Sequence, residues 1–405
     1  MNKKLLMVTF DFPSSNAASI QRIYSFYKYL CLWGWEVHVL TAKEYAYPVC
    51  DISSFEIDKA RVHRTIALDV FRHLSFKGKY LSITNTPDRW GLTWIPSALM
   101  KGKSLCKQEQ FDAIWSTAPI PSAHHIASKL SEKFSIPWIA DYRDPCHYVT
   151  GSAGKRLDDL HQKIDAQVFK LANKITFATA GIRDVYKTRY PEAIESKSRI
   201  VENGFDEDNF HQLENLIDYI NPFQQEKFSL YYSGVLYSNG RDPAPIFEAI
   251  ASLKENQTIG ANNFELIFQG AGDGLEFTAA IEKLGIKDLV KFIAGVPFLH
   301  ALKNMMSCNA LLLIQDSRFN SQIPGKIYEY LRTNKPILVK ADKQGLTAKA
   351  ALEHEGTIVC YQNDIIDALL AILYSQSRYN RNVKKFTREE KAILLLNTIN
   401  SSLLS

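Results

Sequence analysis

The chain repeats one pattern along most of its length, in which short apolar runs alternate with stretches of amphipathic helical spacing. Leu5–Phe10 and Glu36–Thr41 are typical of β-strands, and Ile20–Cys31 between them places apolar residues at helical intervals. Alternation of this kind predicts parallel β-sheets with helices on both faces. It constrains the fold more than any single motif, because few architectures accommodate a regular strand–helix alternation.

The alternation is interrupted once, and the interruption predicts two domains. A strand ends in a turn at Asn203–Asp206, a polar stretch follows, and a second series of strands and helices then begins. We therefore predict an α/β protein with two tandem Rossmann-like, doubly wound domains that face each other across a cleft. The expected N-terminal domain spans residues 1–205, the C-terminal domain spans 206–380, and a helix at about 381–405 packs on the first domain.

Bulk composition restricts the class of ligand and the compartment. With 405 residues, 46% of them apolar, the chain can form two ordinary cores, and its net charge of +5 fits anionic small ligands better than nucleic acid. The six cysteines are scattered without a CxxC pair, as in a reducing cytosol. We find no apolar run long enough for a transmembrane helix and interpret the N-terminal run as a strand, not a signal peptide. The predicted location is cytoplasmic, with any membrane contact peripheral.

The stretch from Ala310 to Leu338 carries the strongest functional signal. An apolar strand leads into a polar loop with Pro324 and Gly325, and Lys326 then begins an amphipathic helix that contains Glu329. A loop between a strand end and a helix start suits an anion, and Lys326 adds a cation where a phosphate would lie. Glu329 could accept hydrogen bonds from sugar hydroxyls. The alternative is an ordinary strand–loop–helix whose charged side chains are solvated.

Three further loops of the second half each follow a predicted strand. The first brings Gly234 and Arg241 to a strand end, where the arginine could bind phosphate or be merely solvated. The second is glycine-rich and contains Gly272, but its spacing does not match a dinucleotide-binding fingerprint, which disfavours an oxidoreductase. The third, with Gly295 and Val296, could hold a flat base against its backbone.

Two loops of the first half carry candidate residues. Ser15 and Asn16 follow the first strand, in a loop whose Ser19 could cap the next helix. The run Asp141–Pro145 combines two carboxylates with Arg143, which indicates either a site or a local ion pair. The pair His124–His125 lacks partners at metal-ligand spacing, so we predict a packing or surface role and no metal site.

A basic and aromatic stretch lies at Phe71–Tyr80 and is followed by Trp90 and Trp94. This composition suits a membrane surface or a lipid-linked glycan acceptor. A solvated loop beside core aromatic residues is the alternative interpretation.

Taken in order, these motifs resemble the nucleotide-sugar-dependent glycosyltransferases of the GT-B fold, in the large retaining group called family four. The resemblance covers nearly the whole chain and is strongest in PGKIYEYLRTNKP, residues 324–336, and in Asn203–Asp206. The Asp141–Pro145 run and Pro87–Arg89 also resemble features of a subset that builds bacterial surface polysaccharides.

The resemblance implies a role for each matching residue. Glu329 matches the second glutamate of the Glu-x7-Glu motif, which holds the donor ribose, and Lys326 and Arg241 match the cations that meet the diphosphate. The loop that faces the donor sugar and phosphate corresponds to Gln322, Ile323, Pro324 and Gly325, and Gly295 and Val296 match the segment beside the base. Arg143 and Asp144 stand where many relatives have His-Asp, so we consider them for acceptor guidance and acid–base help.

The chain also departs from the pattern at several positions. Ser321 occupies the position of the first glutamate of the motif, Val235 replaces an arginine, and Gly240 replaces a lysine that has Arg241 next to it. The glycine pair expected near the N-terminus is absent, and Ser14–Ser19 stands in its place. These differences concern mainly the identity of the donor sugar.

The sequence therefore predicts a glycosyltransferase that moves a sugar from a nucleotide diphosphate sugar to a glycan or lipid-linked glycan, with retention and without a metal or other cofactor. A nonenzymatic nucleotide or sugar binder on the same fold is the main alternative. A sugar-nucleotide epimerase is a second one, although it is expected to need catalytic carboxylates and a histidine that we do not identify.

Overall fold

The computed structural model describes residues 2–15, 17, 19–50, 55–145, 154–236 and 240–403. The chain divides into two compact units. Unit 1 consists of Met1–Asn203 together with Arg388–Ser405, and unit 2 consists of Gly204–Thr387. The predicted Asn16 lies outside the described residues. Among the described helices, none is both long and apolar enough to cross a bilayer.

Unit 1 is built on a seven-stranded sheet whose neighbouring strands are all parallel, in the order β3-β2-β1-β4-β5-β6-β7. The strands are β1 (Lys4–Val8), β2 (Glu36–Ala42), β3 (Val62–Thr65), β4 (Ala113–Thr117), β5 (Trp138–Tyr142), β6 (Lys174–Phe177) and β7 (Ser198–Ile200). The first six helices are α1 (Ile20–Leu32), α2 (Gly91–Gln108), α3 (Pro121–Phe134), α4 (Lys155–Leu171), α5 (Ala180–Lys187) and α6 (Pro191–Lys197). Strands β4 and β5 are buried at every residue, as expected for central strands covered on both faces.

Unit 2 contains a six-stranded parallel sheet in the order β10-β9-β8-β11-β12-β13. Its strands are β8 (Phe228–Ser233), β9 (Phe264–Gln269), β10 (Val290–Ile293), β11 (Ala310–Ile314), β12 (Ile337–Lys340) and β13 (Thr357–Cys360). Its helices are α7 (Glu207–His211), α8 (Ala244–Glu255), α9 (Leu275–Lys283), α10 (Phe298–Ser307), α11 (Lys326–Arg332), α12 (Leu346–Leu352) and α13 (Ile365–Leu373). Two doubly wound parallel sheets confirm the predicted fold class.

The last helix, α14 (Arg388–Ser402), returns to unit 1. Its residues Ala392, Leu395 and Ile399 are fully buried in a cluster that also contains Ile23 and Phe26 of α1. Lys391 of α14 donates to the carboxylate of Glu202 over 2.6 Å. These three apolar residues lie on one face of α14 because they are spaced at helical intervals, and they form part of the core of unit 1.

This helix begins at Arg388 and not at Arg381, so the predicted start is wrong. The side chain of Arg381 is buried in unit 2, where it donates to the carbonyl oxygens of Glu355 and Lys335 over 2.7 and 2.9 Å. A guanidinium held by carbonyls of unit 2 keeps this segment out of the helix. The first strand also ends at Val8, before the predicted Phe10.

Candidate functional site

In unit 2 the order of the strands reverses between β8 and β11, which are neighbours in the middle of the sheet. From β8 the chain continues to β9 on one side, and from β11 it continues to β12 on the other side. The loops that leave the carboxyl ends of two such strands diverge and create a crevice, where ligands of doubly wound sheets bind. These two loops carry seven of the sixteen site residues predicted from the sequence, namely Gly234, Arg241 and the stretch 321–325.

The two loops are connected by the backbone. The amide of Asp316, after β11, donates to the carbonyl of Gly240, after β8, over 3.1 Å. Arg241 follows Gly240 directly, and its guanidinium donates to the carbonyl of Val235 over 3.2 Å. Lys340, at the end of β12, donates to the carbonyl of Asp242 over 3.3 Å. The sequence prediction that Arg241 lies at this sheet edge therefore agrees with the fold of the loop.

Lys326 begins α11 and turns back towards β8. Its Nζ lies 4.3 Å from the ring centroid of Tyr232, which is a cation–π contact. A Cβ atom placed on Gly234 would lie only 2.8 Å from that Nζ. Gly234 also has a φ of +113°, which a residue with a side chain rarely adopts. Glycine at this position therefore leaves the space in which the ammonium group lies.

The surroundings of Lys326 disfavour its positive charge. Its pKa is lowered from 10.5 to about 7, chiefly by burial and also by the charge of Arg241, while Glu329 opposes the change. No carboxylate of a described residue lies within ion-pair distance of Lys326. Lys326 and Arg241 are two cations that repel each other at the end of a parallel sheet. A bound anion would stabilise this arrangement.

The loop before α11 is fixed by neighbouring elements. The hydroxyl of Thr347 donates to the carbonyl of Gln322 over 3.0 Å, and the amide of Asn320 donates to the carboxylate of Asp342 over 2.7 Å. Ile323 packs against the apolar core of the unit. The Ser321 hydroxyl is shielded from solvent. The backbone of this loop is thus held in place before any ligand arrives, which favours tight binding.

The remaining residues of this loop lead directly into the helix. The carbonyl groups of Pro324 and Gly325 accept the first hydrogen bonds of the helical turn, from Ile327 and Tyr328. Because α11 has only seven residues, its dipole is short and Lys326 is the stronger source of positive potential. Glu329 is partly exposed one turn further on, close enough for its charge to act on Lys326.

The glycine-rich loop after β9 and the segment after β10 approach each other closely. A Cβ atom on Gly270 would lie 3.6 Å from the Cα of Gly295, so the two backbones are nearly in contact. Gly272 has a φ of +88° and nothing within 4 Å of its missing Cβ. Val296 is 39% exposed beside Gly295. The segment predicted to hold a base is therefore open to a ligand.

Sequence reasoning missed Gln269, which positions that segment. Gln269 is buried at the last position of β9, where its amide donates to the carbonyl of Ala294 over 3.3 Å. Its side-chain oxygen accepts from Asn304 over 2.7 Å and also from the hydroxyl of Tyr231. The available signal was a polar residue at the last position of a predicted strand, directly before a glycine-rich loop.

In unit 1 the order of the strands reverses between β1 and β4, but the polar groups at this edge bind one another. Asp141, at the end of β5, is fully buried and receives hydrogen bonds from Arg22, Thr117 and Thr176 over 2.8, 2.9 and 2.7 Å. Arg22 also donates to the carbonyl of Val201 over 2.7 Å. This network occupies both carboxylate oxygens of Asp141, and its pairing with Arg22 was not predicted.

The loop after β1 is organised in the same way around Asp11. The hydroxyls of Ser15 and Ser19 donate to its two carboxylate oxygens over 3.0 and 2.9 Å. Ser19 therefore does not cap α1 with its side chain, contrary to the sequence prediction. Ser15 is 4% exposed and its hydroxyl shapes the loop.

Arg143 and Asp144 form an ion pair of 3.3 Å directly after β5. Their side chains are 20% and 38% exposed, so the pair is accessible to a ligand.

His124 is buried, with its Nδ1 2.8 Å from the hydroxyl of Ser116, and burial lowers its pKa to about 4. The packing role predicted for His124 agrees with this environment.

Among the described residues, Glu36, His38 and Glu109 have possible metal-ligand atoms within 4.8 Å of one another. The ammonium group of Lys4 lies 3.2 Å from Glu36 and 2.5 Å from Glu109, and it already supplies a cation. Lys4 and Glu36 are the first residues of β1 and β2, so this cluster lies at the amino end of the sheet. It is an ion-pair network remote from the strand ends where ligands bind.

The similarity to known structures extends over nearly the whole chain. WaaG, a glycosyltransferase involved in lipopolysaccharide biosynthesis, superposes with a TM-score of 0.62 at 14% identity, covering 96% of this chain and 99% of WaaG. The chain has the two-domain GT-B fold. HepE from Anabaena, in complex with UDP and glucose, gives a TM-score of 0.60 at 12% identity and covers 99% of this chain and 100% of its own.

A putative UDP-N-acetylglucosamine 2-epimerase from Listeria monocytogenes gives a TM-score of 0.60 at 12% identity, with 99% of this chain and 96% of the epimerase covered. No protein-family model and no curated protein sequence matches the chain. At such low identity these structures show the fold, and the function has to be inferred from the residues of the site.

Proposed function

We propose that the protein is a glycosyltransferase that uses a nucleotide diphosphate sugar as donor and a glycan or lipid-linked glycan as acceptor. The observation that carries this proposal is the position of Lys326, with its Nζ against Tyr232 and Gly234 at the β8–β11 edge of a GT-B fold. Arg241 adds a second cation at the same edge. A diphosphate is the anion that two such cations suit best.

The two cations would act on the leaving group. As the bond between the sugar and the diphosphate breaks, negative charge grows on the diphosphate while the sugar becomes oxocarbenium-like. Lys326, held at the start of α11, and Arg241, which donates to the carbonyl of Val235, would stabilise that charge more than the charge of the ground state. Preorganised groups of this kind supply the largest catalytic contribution in many enzymes. This proposal requires no metal ion, and retention of configuration follows from the family resemblance.

The other predicted residues would bind the rest of the donor. Glu329, one helical turn beyond Lys326, would accept hydrogen bonds from the ribose. Gly295 and Val296 would lie against the base, in a segment that Gln269 holds through the carbonyl of Ala294. Ser321 has a neutral hydroxyl, shielded from solvent in the free protein, where the resembling family has a carboxylate, so the donor sugar would meet no negative charge at this point.

Two alternatives have a specific observation in their favour. An epimerase is supported by the similar fold of the Listeria protein, and it would convert a nucleotide sugar without an acceptor. A nonenzymatic binder is supported by Ser321, which replaces a glutamate of the resembling family. Both would bind a nucleotide, so product analysis is needed to distinguish them from a transferase.

The first experiment is a thermal-shift screen of the full-length protein with UDP, GDP, ADP, CMP and dTDP. For each nucleotide that raises the melting temperature, hydrolysis of the corresponding donor sugars is then measured with and without glycan acceptors. We expect one nucleotide to stabilise the protein and its donor to be turned over. Absence of any shift would contradict both the enzyme and the binder, and conversion of the sugar without transfer would establish the epimerase.

The second experiment tests Lys326. We expect Lys326→Ala to lower the turnover number about a hundredfold or more, because one preorganised donor to the developing charge is lost. The control is Lys349→Ala on α12 of the same unit, which removes an exposed lysine and should leave turnover unchanged. Equal turnover in wild type and Lys326→Ala would refute the assignment.

A further inference from the structure

Unit 1 displays an unusual group of large apolar side chains on residues 71–84, here called the 71–84 segment. Phe76, Leu81 and Ile83 are 78%, 73% and 69% exposed. Phe71, Leu74 and Tyr80 of the same segment are also exposed, at 37% to 42%. Single exposed apolar residues are common on protein surfaces, but six of them within fourteen consecutive residues form a patch that calls for a partner.

The tip of the segment is a well-defined tight turn. The amide of Phe76 donates to the carbonyl of Lys79 over 2.8 Å, and the amide of Lys79 donates back over 3.0 Å. The two central residues, Lys77 and Gly78, have φ of +48° and +74°, as in the turns that connect β-hairpin strands. Behind the tip, the rings of Phe71 and Tyr80 lie 4.6 Å apart. Phe76 therefore protrudes from an ordered turn.

Polar contacts hold both ends of the segment. Before it, the carboxylate of Asp69 is fully buried, accepts from the amide of Phe71 over 2.9 Å and pairs with Arg89. At its other end, Arg156 of α4 donates to the carbonyl of Ser82 and to the hydroxyl of Thr86, each over 2.6 Å. The apolar side chains are exposed on a backbone that the unit fixes, so little conformational entropy is lost when they meet a partner.

The positive charge of the protein is concentrated in and after this segment. Residues 70–108 contain seven basic residues (Lys or Arg) and one acidic residue. The whole chain contains 48 basic and 43 acidic residues, so the remainder of the chain has 41 basic and 42 acidic residues and is nearly neutral. The one acidic residue, Asp88, is engaged internally by the amides of Trp90, Gly91 and Ser122. Lys77 and Lys79 are exposed, and no carboxylate of a described residue lies within ion-pair distance of them.

We propose that the 71–84 segment is a docking surface for an anionic lipid bilayer. Phe76, Leu81 and Ile83 would enter the boundary between headgroups and acyl chains, while Lys77 and Lys79 would remain among the anionic headgroups. Apolar insertion combined with basic residues is how peripheral proteins bind membranes reversibly. A protruding turn with lysines at its tip fits a deformable charged surface better than it fits a rigid apolar groove.

This inference goes beyond the proposed glycosyl transfer and does not depend on it, since none of these residues lies in unit 2. It also gives the basic aromatic stretch noted in the sequence a definite geometry. Trp90 and Trp94 are 9% and 0% exposed, so they are core residues and not part of the surface.

The test is flotation of the full-length protein with two kinds of vesicle at low and high salt. One kind consists of phosphatidylcholine, and the other of equal parts of phosphatidylcholine and phosphatidylglycerol. We expect wild type to float with the anionic vesicles at low salt only, because salt screens the attraction. For Lys77→Gln with Lys79→Gln we expect the partition coefficient to fall about 25-fold, from about fivefold per basic residue near an anionic surface. Phe76→Ser with Leu81→Ser should abolish flotation.

Two matched double variants serve as controls. Ile217→Ser with Ile220→Ser removes apolar side chains that are 79% and 85% exposed in unit 2, and Lys384→Gln with Lys385→Gln removes two exposed lysines there. Both should float like wild type. Failure of wild type to float at low salt, or equal losses in the controls, would overturn the proposal. If wild type does not float but dimerises in a way that Phe76→Ser with Leu81→Ser abolishes, the partner is a second copy and the bilayer is excluded.

Discussion

The two sheets present the same topological feature and use it differently. In both units the order of the strands reverses between two central neighbours, β1 and β4 or β8 and β11. In unit 1 the charges at the carboxyl edge bind each other, as in the buried pair of Arg22 and Asp141. In unit 2 the cation of Lys326 faces a ring and a glycine. We infer that a candidate binding edge is recognised by a cation such as Lys326, which has no carboxylate of a described residue within ion-pair distance, and not by topology alone.

The largest expected effect concerns the buried pair of unit 1. Arg22→Ala leaves the carboxylate of Asp141 buried with only the two threonine hydroxyls, so we expect the free energy of unfolding to fall by about 3–5 kcal/mol. The measurement is chemical denaturation of the full-length protein, in which the unfolding of unit 1 is monitored. Nucleotide binding by unit 2 should survive under native conditions.

The control for this variant is Arg183→Ala. Arg183 forms an ion pair with Asp184 in which the two side chains are 32% and 51% exposed. An exposed pair contributes about 0–1 kcal/mol, so this variant should unfold almost like wild type. Similar losses in both variants would contradict a special role for the buried pair.

The next effect is a pH dependence of donor binding in unit 2. Lys326 has a lowered pKa of about 7 in the free protein, and only its ammonium form attracts a diphosphate. The affinity for a nucleotide diphosphate sugar should therefore fall as the pH rises above 7, by up to about tenfold per pH unit. The ligand should be the nucleotide diphosphate sugar and not the free nucleotide diphosphate, because the terminal phosphate of the free nucleotide itself titrates near neutral pH. Titration calorimetry between pH 6 and pH 9 would measure this trend.

Lys326→Arg provides the matched control, because a guanidinium stays charged over this range and should remove the pH dependence. Lys326→Met should be more stable than wild type at pH 6 without ligand. The sign follows from the lowered pKa: the cost of the buried charge is complete below about 7, declines as the pH rises from there towards the ordinary value of 10.5, and is absent above it. A pH-independent affinity in wild type would show that Lys326 does not meet the donor.

The smallest effect compares two glycines of unit 2. Gly234→Ala and Gly285→Ala both place a Cβ at positive φ, +113° and +66°, and each should cost about 1–3 kcal/mol of stability. Only at Gly234 would the new Cβ crowd the Nζ of Lys326, whereas nothing lies within 4 Å at Gly285. Donor affinity should fall about tenfold in Gly234→Ala alone, as expected for a displaced charged contact. Equal affinities in the two variants would mean that the lysine is free to move.

The sequence predicted the fold well because local patterns determine it. Apolar runs such as Ala310–Ile314 and the helical spacing of Ile20, Ile23 and Leu30 are visible without tertiary information, and the structure confirms both elements. The end of the chain was harder to predict. The helix expected from Arg381 starts at Arg388, because the carbonyl groups that hold Arg381 come from residues more than twenty positions away.

The candidate site was predictable to the extent that it lies in loops directly after strands. The positions of Arg241 in a loop after β8 and of Lys326 at the start of α11 follow from the order of the predicted elements, whereas their surroundings do not. Packing brings together residues that are distant in sequence. It places Lys326 against Tyr232 and pairs Arg22 with Asp141. A single sequence contains no measure of such pairings, and the positioning role of Gln269 likewise depends on partners that are distant in sequence.

The return of α14 to unit 1 has a consequence for how the protein is made. A ribosome releases the residues of unit 2 before it releases Arg388–Ser402, whose apolar side chains complete the cluster around Ile23 and Phe26. Unit 2 can therefore close during synthesis, while the first unit to emerge waits for the last helix. We expect nascent chains that end before α14 to protect unit 2 from protease and to leave unit 1 sensitive. The order of completion is then the reverse of the order of translation.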